Sequence, residues 1–449
     1  MRSAFLAALL ILSLAAPVLA ADQPEPEPPV EHDPWQGMDR DGRIPAVEKP
    51  VEHPERWRYI PEGRIKPGNV LQRFLISSFI APFIFRDTDV GFGGGLALTD
   101  IDFREQRRRE FLGLFASHSV EGQQAYTLLW QRWLHHIDLP QGGVLQEERS
   151  RVRAGVSYSR TLTRRFFGFG DDTDEDDETS FADEFAFAAV GMDVALPEAG
   201  DDLVLGIGVR GEWHNLAKGH VDDAGQTKDV FPDVFDGGDR DGLGWLDLEL
   251  RWDTRDSEIL PYRGFDVGAR IQAAPVQSEG NAGSIFGVFG SKFFPLPGLF
   301  HSGGTGTTEE HPPTDSIALH LETETTAGDL PFYSLPSLGG AERARGFIEG
   351  RFRDRSLWAA TAEYRFWVIP RGFALSPWTP TVRVERLGLA LFYDVGSVED
   401  EWWDLFHAEP KHSGGVGFRC TLERNAPFRV DVGFSDEGPQ VTAGFGLSF

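Results

Sequence analysis

From about residue 71 onward, apolar and polar positions alternate with a period of two, the spacing of a half-buried β-strand. Leu203, Leu205, Ile207 and Val209 alternate with Val204, Gly206, Gly208 and Arg210. Leu246, Leu248, Leu250 and Trp252 oppose Asp247, Glu249 and Arg251, and Val267, Ala269 and Ile271 oppose Asp266, Gly268, Arg270 and Gln272. At the end, Val441, Ala443, Phe445, Leu447 and Phe449 alternate with Gln440, Thr442, Gly444, Gly446 and Ser448. Sixteen segments read this way: 75–86, 88–99, 109–118, 124–134, 151–162, 183–195, 203–213, 243–253, 264–274, 284–294, 316–326, 356–368, 385–396, 413–422, 427–434 and 440–449. Gly, Pro and Asp clusters separate them, and no amphipathic helical stretch lies between.

One charged face per strand fits either a soluble sheet in bulk water or a barrel with lipid outside and water inside. Nearly every segment repeats the pattern, few are apolar on both faces, and aromatics recur near strand ends (Phe111, Tyr126, Trp130, Trp252, Tyr364, Trp367, Phe449). Such aromatics suit interfacial girdles. The pattern therefore predicts an all-β fold, a transmembrane antiparallel β-barrel of about sixteen strands spanning residues 71–449. The even count sets both ends in the periplasm and the loops 163–182, 214–242, 327–355 and 397–412 outside the cell.

The N-terminus agrees with export. Met1-Arg2 supplies a positive charge, Ala4 to Ala16 an apolar stretch and Val18-Leu19-Ala20 a small-residue cleavage site, so residues 1–20 read as a signal peptide. The expected location is the bacterial outer membrane. Residues 21–70, rich in Pro and acid, are expected to form a largely disordered periplasmic tether.

A formal charge of −27 excludes a basic footprint for nucleic acid. The acid is clustered, as at Asp171 to Glu178 and Asp222 to Asp241, in segments assigned to outer loops. The single cysteine, Cys420, allows no intramolecular disulfide and reads as a small wall residue. Ser117-His118-Ser119, His135-His136 and the acidic runs lack a nucleophile elbow, metal-ligand spacing, a calcium-loop spacing or a phosphate loop, so no enzyme activity, catalytic residue, metal or cofactor is expected.

The stretch Leu338 to Phe347, with Arg343 and Arg345, continues through Arg351, Arg353 and Arg355 as a Gly-punctuated, arginine-rich loop between two alternating strands. In the following strands, parity places Glu363 and Arg365, and then Asp394, on the lumen side. A loop folded into the barrel would bring Arg345 against Asp394 as an internal lid, where an Arg fork on a carboxylate is geometrically specific.

At these residues the chain resembles the BamA/TamA-type outer-membrane assembly barrels, the bacterial surface antigen family. Arg345-Gly346-Phe347 is similar to the tip of that family's inward-folded loop. Phe392-Tyr-Asp-Val-Gly396 is similar to its Phe-x-Asp-x-Gly strand, whose Asp receives the loop arginine. Weaker similarities are Trp252-Asp-Thr-Arg-Asp256 with Pro261-Tyr-Arg-Gly264, Glu363-Tyr-Arg365, Phe166-Phe-Gly-Phe-Gly170 and Arg429 to Phe434. The order and spacing of these motifs cover roughly residues 71–449. Ala344 stands where the family carries a larger aliphatic, and residues 21–70 are too short and proline-rich for one of its periplasmic POTRA domains.

The resemblance implies a barrel-only member that assists insertion or translocation of proteins or lipids at the outer membrane, with no cofactor. Its implied partners are outer-membrane lipid, client outer-membrane or exported proteins, and an unidentified periplasmic partner. The implied site is a lid tip of Arg345, Gly346 and Phe347 and an acceptor of Asp394 with Phe392 and Gly396. Glu363 and Arg365 would be supporting lumen charges, and Phe445, Leu447 and Phe449 a terminal-strand signature on the lipid side. A passive pore or structural surface barrel is the alternative.

Overall fold

The computed structural model describes residues 42–62, 79–87, 91–100, 108–235, 240–278, 280–303, 306, 308–374, 383–422 and 426–449. The expected signal peptide lies outside the described residues, as do parts of the expected tether and of the first expected strand.

Sixteen long strands form one antiparallel sheet. In chain order they are β1 (Phe79–Asp87), β2 (Gly91–Asp100), β3 (Glu110–Ser119), β4 (Gln124–Trp133), β5 (Arg151–Phe166), β6 (Thr179–Leu196), β7 (Leu203–Lys218) and β8 (Arg240–Asp253). They continue as β9 (Gly264–Gln277), β10 (Gly283–Leu296), β11 (Asp315–Gly328), β12 (Ser356–Ile369), β13 (Arg383–Glu399), β14 (Lys411–Leu422), β15 (Ala426–Ser435) and β16 (Gly438–Phe445). Each pairs with the next, from β1–β2 through β15–β16. The sheet curls round into a barrel, which brings Phe445 of β16 to a ring-centroid distance of 6.2 Å from Phe111 of β3. Among the described residues no backbone register joins β16 to β1.

Burial is inverted relative to a soluble sheet. Leu248, Leu391 and Val416 are 46%, 50% and 50% exposed on the outer wall, while Glu363 is 1% and Asp431 0% exposed in the interior. A β-barrel with an apolar outside and a polar inside has this form, and a soluble sandwich does not. No described helix is long and apolar enough to cross a membrane.

Several strands run further than alternation indicates. β5 continues to Phe166, β7 to Lys218 and β13 to Glu399, which shortens the neighbouring loops. Beyond the lipid, loops pack on the strands, as on Phe166, Leu216 and Val398, so the period-two signal fades while the hydrogen-bond ladder continues.

Residues 42–62 depart from the expected tether. Trp57–Ile60 pairs with Val144–Glu147, which pairs in turn with His136–Asp138. Trp57 is buried with Leu139 and Leu145. Lys49 Nζ donates to Glu310 Oε1 at 2.8 Å, and Arg56 Nη2 donates to Asp202 Oδ1 at 2.6 Å. The segment has too few large aliphatics for a core of its own and instead adds its one tryptophan and its cations to the loops at one end of the barrel, hereafter the inner end.

Candidate functional site

The long connection between β11 and β12, residues 329–355, folds into the lumen. Its base is held by Phe332, which joins a cluster with Phe166, Phe181 and Leu216. Arg351 is stacked between Phe167 and Phe352, 4.4 Å from each ring, and donates to Glu437 and Thr173. Further in, Leu338, Ala344, Phe347 and Phe352 pack on Leu357, Ala359 and Val398.

At the tip, Arg345 is fully buried. Its Nε and Nη2 each donate to Asp394 at 2.9 Å, its backbone N–H donates to the same carboxylate at 3.0 Å, and Nη1 donates to Glu363 Oε2 at 2.8 Å. The guanidinium lies 3.6 Å from the centre of the Phe392 ring. The fork, the stack and the backbone donor together fix the tip in position and orientation. Ala344, just before it, has φ 53°, a left-handed conformation that L-residues seldom adopt outside strained functional segments.

The flanking glycines leave room for close backbone contact. A Cβ at Gly346 would lie 2.6 Å from Ser413 Cβ and 2.7 Å from the Phe434 carbonyl carbon. A Cβ at Gly433 would strike the Arg345 carbonyl oxygen, and one at Gly396 would lie 2.6 Å from the Trp358 oxygen. Ser435 Oγ donates to the Gly346 carbonyl at 2.8 Å, so the tip rests on β13, β14 and β15.

Glu363 is the centre of the charge network. It accepts from Arg345 and from Arg365 Nε at 2.8 Å, and from Arg419 Nη2 at 3.0 Å. Asp431 accepts from Arg419 at 2.6 Å and Arg429 at 3.0 Å. A second fork, between Arg343 and the carboxylates of Glu322 and Glu324, escapes the sequence reading; Arg343 Nε to Glu322 is 2.6 Å. The inward parity of the two glutamates marks them as lumen acceptors, but not which arginine reaches them. A cavity of about 1100 Å³ remains between the lid and the facing wall, lined by Phe111, Leu129, Phe187, Asp247, Arg270 and Arg343.

Phe445, Leu447 and Phe449 occupy different surroundings from those expected. The strand ends at Phe445, and Gly446 turns with φ 92°. Leu447 packs on Leu260, Tyr262 and Trp367, and Phe449 stacks on His320, so the last residues enter the lumen and leave the lipid side. Alternation is the same whichever side a strand end faces, so it carries no warning of this turn.

At the outer mouth, burial pushes the Asp171 carboxyl above its ordinary value, and burial together with nearby Asp400 does the same at Asp354. The folded loops therefore disfavour the ionised forms. That penalty is absent below the ordinary Asp value of 3.8 and grows as pH rises through the raised folded values. Amide exchange in residues 170–173 and 352–355, corrected for intrinsic rates, is expected to slow as pH falls from about 7 towards the ordinary Asp value of 3.8. Unchanged protection over that interval would contradict it.

An antiparallel barrel with a charged interior, a lipid-facing apolar exterior and an inward-folded arginine lid defines an outer-membrane β-barrel whose lumen is filled by its own loop. Residues 217–449, more than half the chain, match the profile of the Omp85 superfamily domain, and the chain belongs to that superfamily. Its location is the bacterial outer membrane. Superfamily members are transporters or assembly factors without enzymatic activity. Among solved structures it is similar to BamA from Haemophilus ducreyi lacking POTRA domains 1–3, at 14% identity, over 83% of this chain and 70% of that one, with TM-score 0.46. It is also similar to CdiB from Acinetobacter baumannii, at 11% identity, over 82% of this chain and 58% of that one, with TM-score 0.43. No curated protein matches the chain.

Proposed function

We propose that this protein assists insertion or translocation of client polypeptides at the outer membrane through a lid-filled lumen and a weak seam between β16 and β1. The observation that carries the reading is at the seam. Phe445 belongs to the outward-facing register of β16, since it pairs with Phe428, yet its ring meets Phe111 on the inward face of β3. The end of β16 has thus moved inside the wall. An incompletely paired strand edge is costly in lipid and is a template for another strand, which is the physical basis for accepting one.

The clients on this reading are outer-membrane or exported proteins, with a separate periplasmic partner to deliver them. The buried Arg345 anchorage favours a plugged barrel over a passive pore. In planar bilayers the full chain is expected to conduct little, and a variant lacking residues 335–355 to conduct steadily. A wide, steady conductance in the full chain that the deletion does not raise would favour the pore. Depletion followed by outer-membrane proteomics and a lipid-asymmetry assay is expected to show loss of particular barrel proteins; an unchanged proteome would reject the assembly role.

A further inference from the structure

We infer that the lipid-facing wall near the inner end carries a site for one anionic phospholipid, with Lys292 for its phosphate and a furrow at Gly290 for an acyl chain. Lys292 lies on β10 between Ser291 and Phe293, whose side chains turn into the lumen. Ser291 Oγ is 2.9 Å from His320 Nδ1, and the Phe293 ring is 6.2 Å from that of Phe449. Parity therefore sets Lys292 on the outer wall with Phe286, Val288 and Phe294, and it is exposed there.

A lipid-facing cation is costly at the bilayer midplane and tolerated where its head reaches the interface. Phe294, Ile317 and Tyr364, in register across β10, β11 and β12, form the inner aromatic boundary of the wall. Lys292 stands one outward row deeper, in register with Phe265 and Leu319. Its Nζ is 5.3 Å from the centre of the Phe265 ring and 5.6 Å from that of Phe294. The two rings hold the ammonium toward the headgroup layer while its stem lies along apolar wall. Among the described residues no carboxylate pairs with it, although the chain has a formal charge of −27. The counter-charge is left to the membrane.

Gly290 gives the second observation. It is the next outward position on β10 toward the membrane centre, in register between Val267 and Leu321, which are 47% and 57% exposed. A Cβ at Gly290 would meet nothing nearer than the Asp266 carbonyl oxygen at 3.8 Å, so packing does not demand a glycine there. Its missing side chain leaves a furrow between two tall aliphatic neighbours. The furrow runs up the wall from the ammonium, the course an acyl chain takes from its own headgroup.

The ligand is a phosphate ester joined to an acyl chain, in the leaflet that faces the periplasm. A zwitterionic lipid brings its own cation, which competes with Lys292 for the phosphate, so a lipid of net negative charge is favoured. The site depends on the placement of the barrel in the membrane and not on the assembly role proposed above.

The test is native mass spectrometry of the full chain in detergent, with phosphatidylglycerol and phosphatidylcholine of matched acyl chains at equal concentration. The full chain is expected to retain one phosphatidylglycerol about fivefold in preference to phosphatidylcholine. Lys292→Gln should abolish the preference. Gly290→Leu, which fills the furrow and leaves the charge, should lower retention of both lipids. Heat-modifiable migration checks that each variant is folded. No preference in the full chain, the same preference in Lys292→Gln, or unchanged retention in Gly290→Leu would overturn the site. Inorganic phosphate at the concentration of the lipid should not displace the bound phosphatidylglycerol; displacement would reduce the site to a contact for free anions and overturn it as well.

Discussion

Arg345→Ala is expected to release the lid while the barrel stays folded. The side chain is 0% exposed and meets two carboxylates that are themselves buried, Asp394 and Glu363. Removing one partner of such a buried set leaves charge that water cannot reach, a cost of about 3–5 kcal/mol, and here the lid can escape that cost by undocking. Arg345→Lys keeps the charge but loses the fork on Asp394 and the stack on Phe392, and is expected to undock the lid partially. The measurements are protease cleavage within residues 335–355 and bilayer conductance. Both should rise in the order wild type, Lys, Ala. In an Arg345→Ala/Asp394→Ala double variant the two effects should be strongly non-additive, because each single change already breaks the shared interaction. A lid that remains protected in Arg345→Ala would place its anchorage in the apolar cluster of Leu338, Phe347 and Phe352 instead.

The wall was legible because lipid imposes one rule on all of it. Each of the sixteen alternating segments corresponds to a strand of the sheet, and the parity of Glu363 and Asp394 already set both carboxylates on the lumen side. Four features escaped, each for a physical reason. The strand extensions near Phe166 and Lys218 lie beyond the lipid, where loop residues such as Phe332 pack on the sheet and no single apolar face is imposed, so no periodicity marks them. The segment Trp57–Ile60 is a strand only because Val144–Glu147 presents an edge to it, a contact across more than eighty residues that no local window contains. The seating of Leu447 and Phe449 depends on Gly446 turning inward and on partners carried by β10, β11 and β12 and by the loop before β9. In the lid, the Arg-Gly-Phe tip and the Asp394 strand were visible as motifs. The fork of Arg343 on Glu322 and Glu324 was not, since it depends on how deeply the loop descends beside β11.

A different outcome is expected at the inner end, where Asp253→Ala should damage the barrel itself. Asp253, at the end of β8, is 0% exposed and accepts from Arg255 Nε at 3.0 Å, Arg255 Nη2 at 2.9 Å and the Arg255 backbone N–H at 3.0 Å. Arg149, also 0% exposed, lies with Nη2 3.4 Å from the same carboxylate. The turn that follows is built around these groups. Asp256 accepts the backbone N–H of Tyr262 at 2.9 Å and of Arg263 at 3.2 Å, and Gly264, at φ 97°, has no space for a Cβ beside the Thr254 carbonyl. Loss of Asp253 would remove the carboxylate that Arg149 meets and leave Arg255 with Asp266 at 3.5 Å in a closely packed turn, a cost of up to about 3–5 kcal/mol, and no loop movement relieves it because both arginines belong to the connections between wall strands. Asp253→Asn keeps an acceptor and should cost less. The readouts separate this site from the lid: Asp253→Ala should lower the thermal unfolding midpoint and the fraction of folded, heat-modifiable barrel, with cleavage in 335–355 unchanged as long as the barrel is intact. It should also expose residues 42–62 to protease, because the Asp253 backbone N–H donates to the Asp202 carbonyl at 2.7 Å and the Asp202 side chain holds Arg56. Intact folding with a released lid in Asp253→Ala would mean that the two ends of the barrel are coupled through the strands, contrary to the separate anchorages seen here.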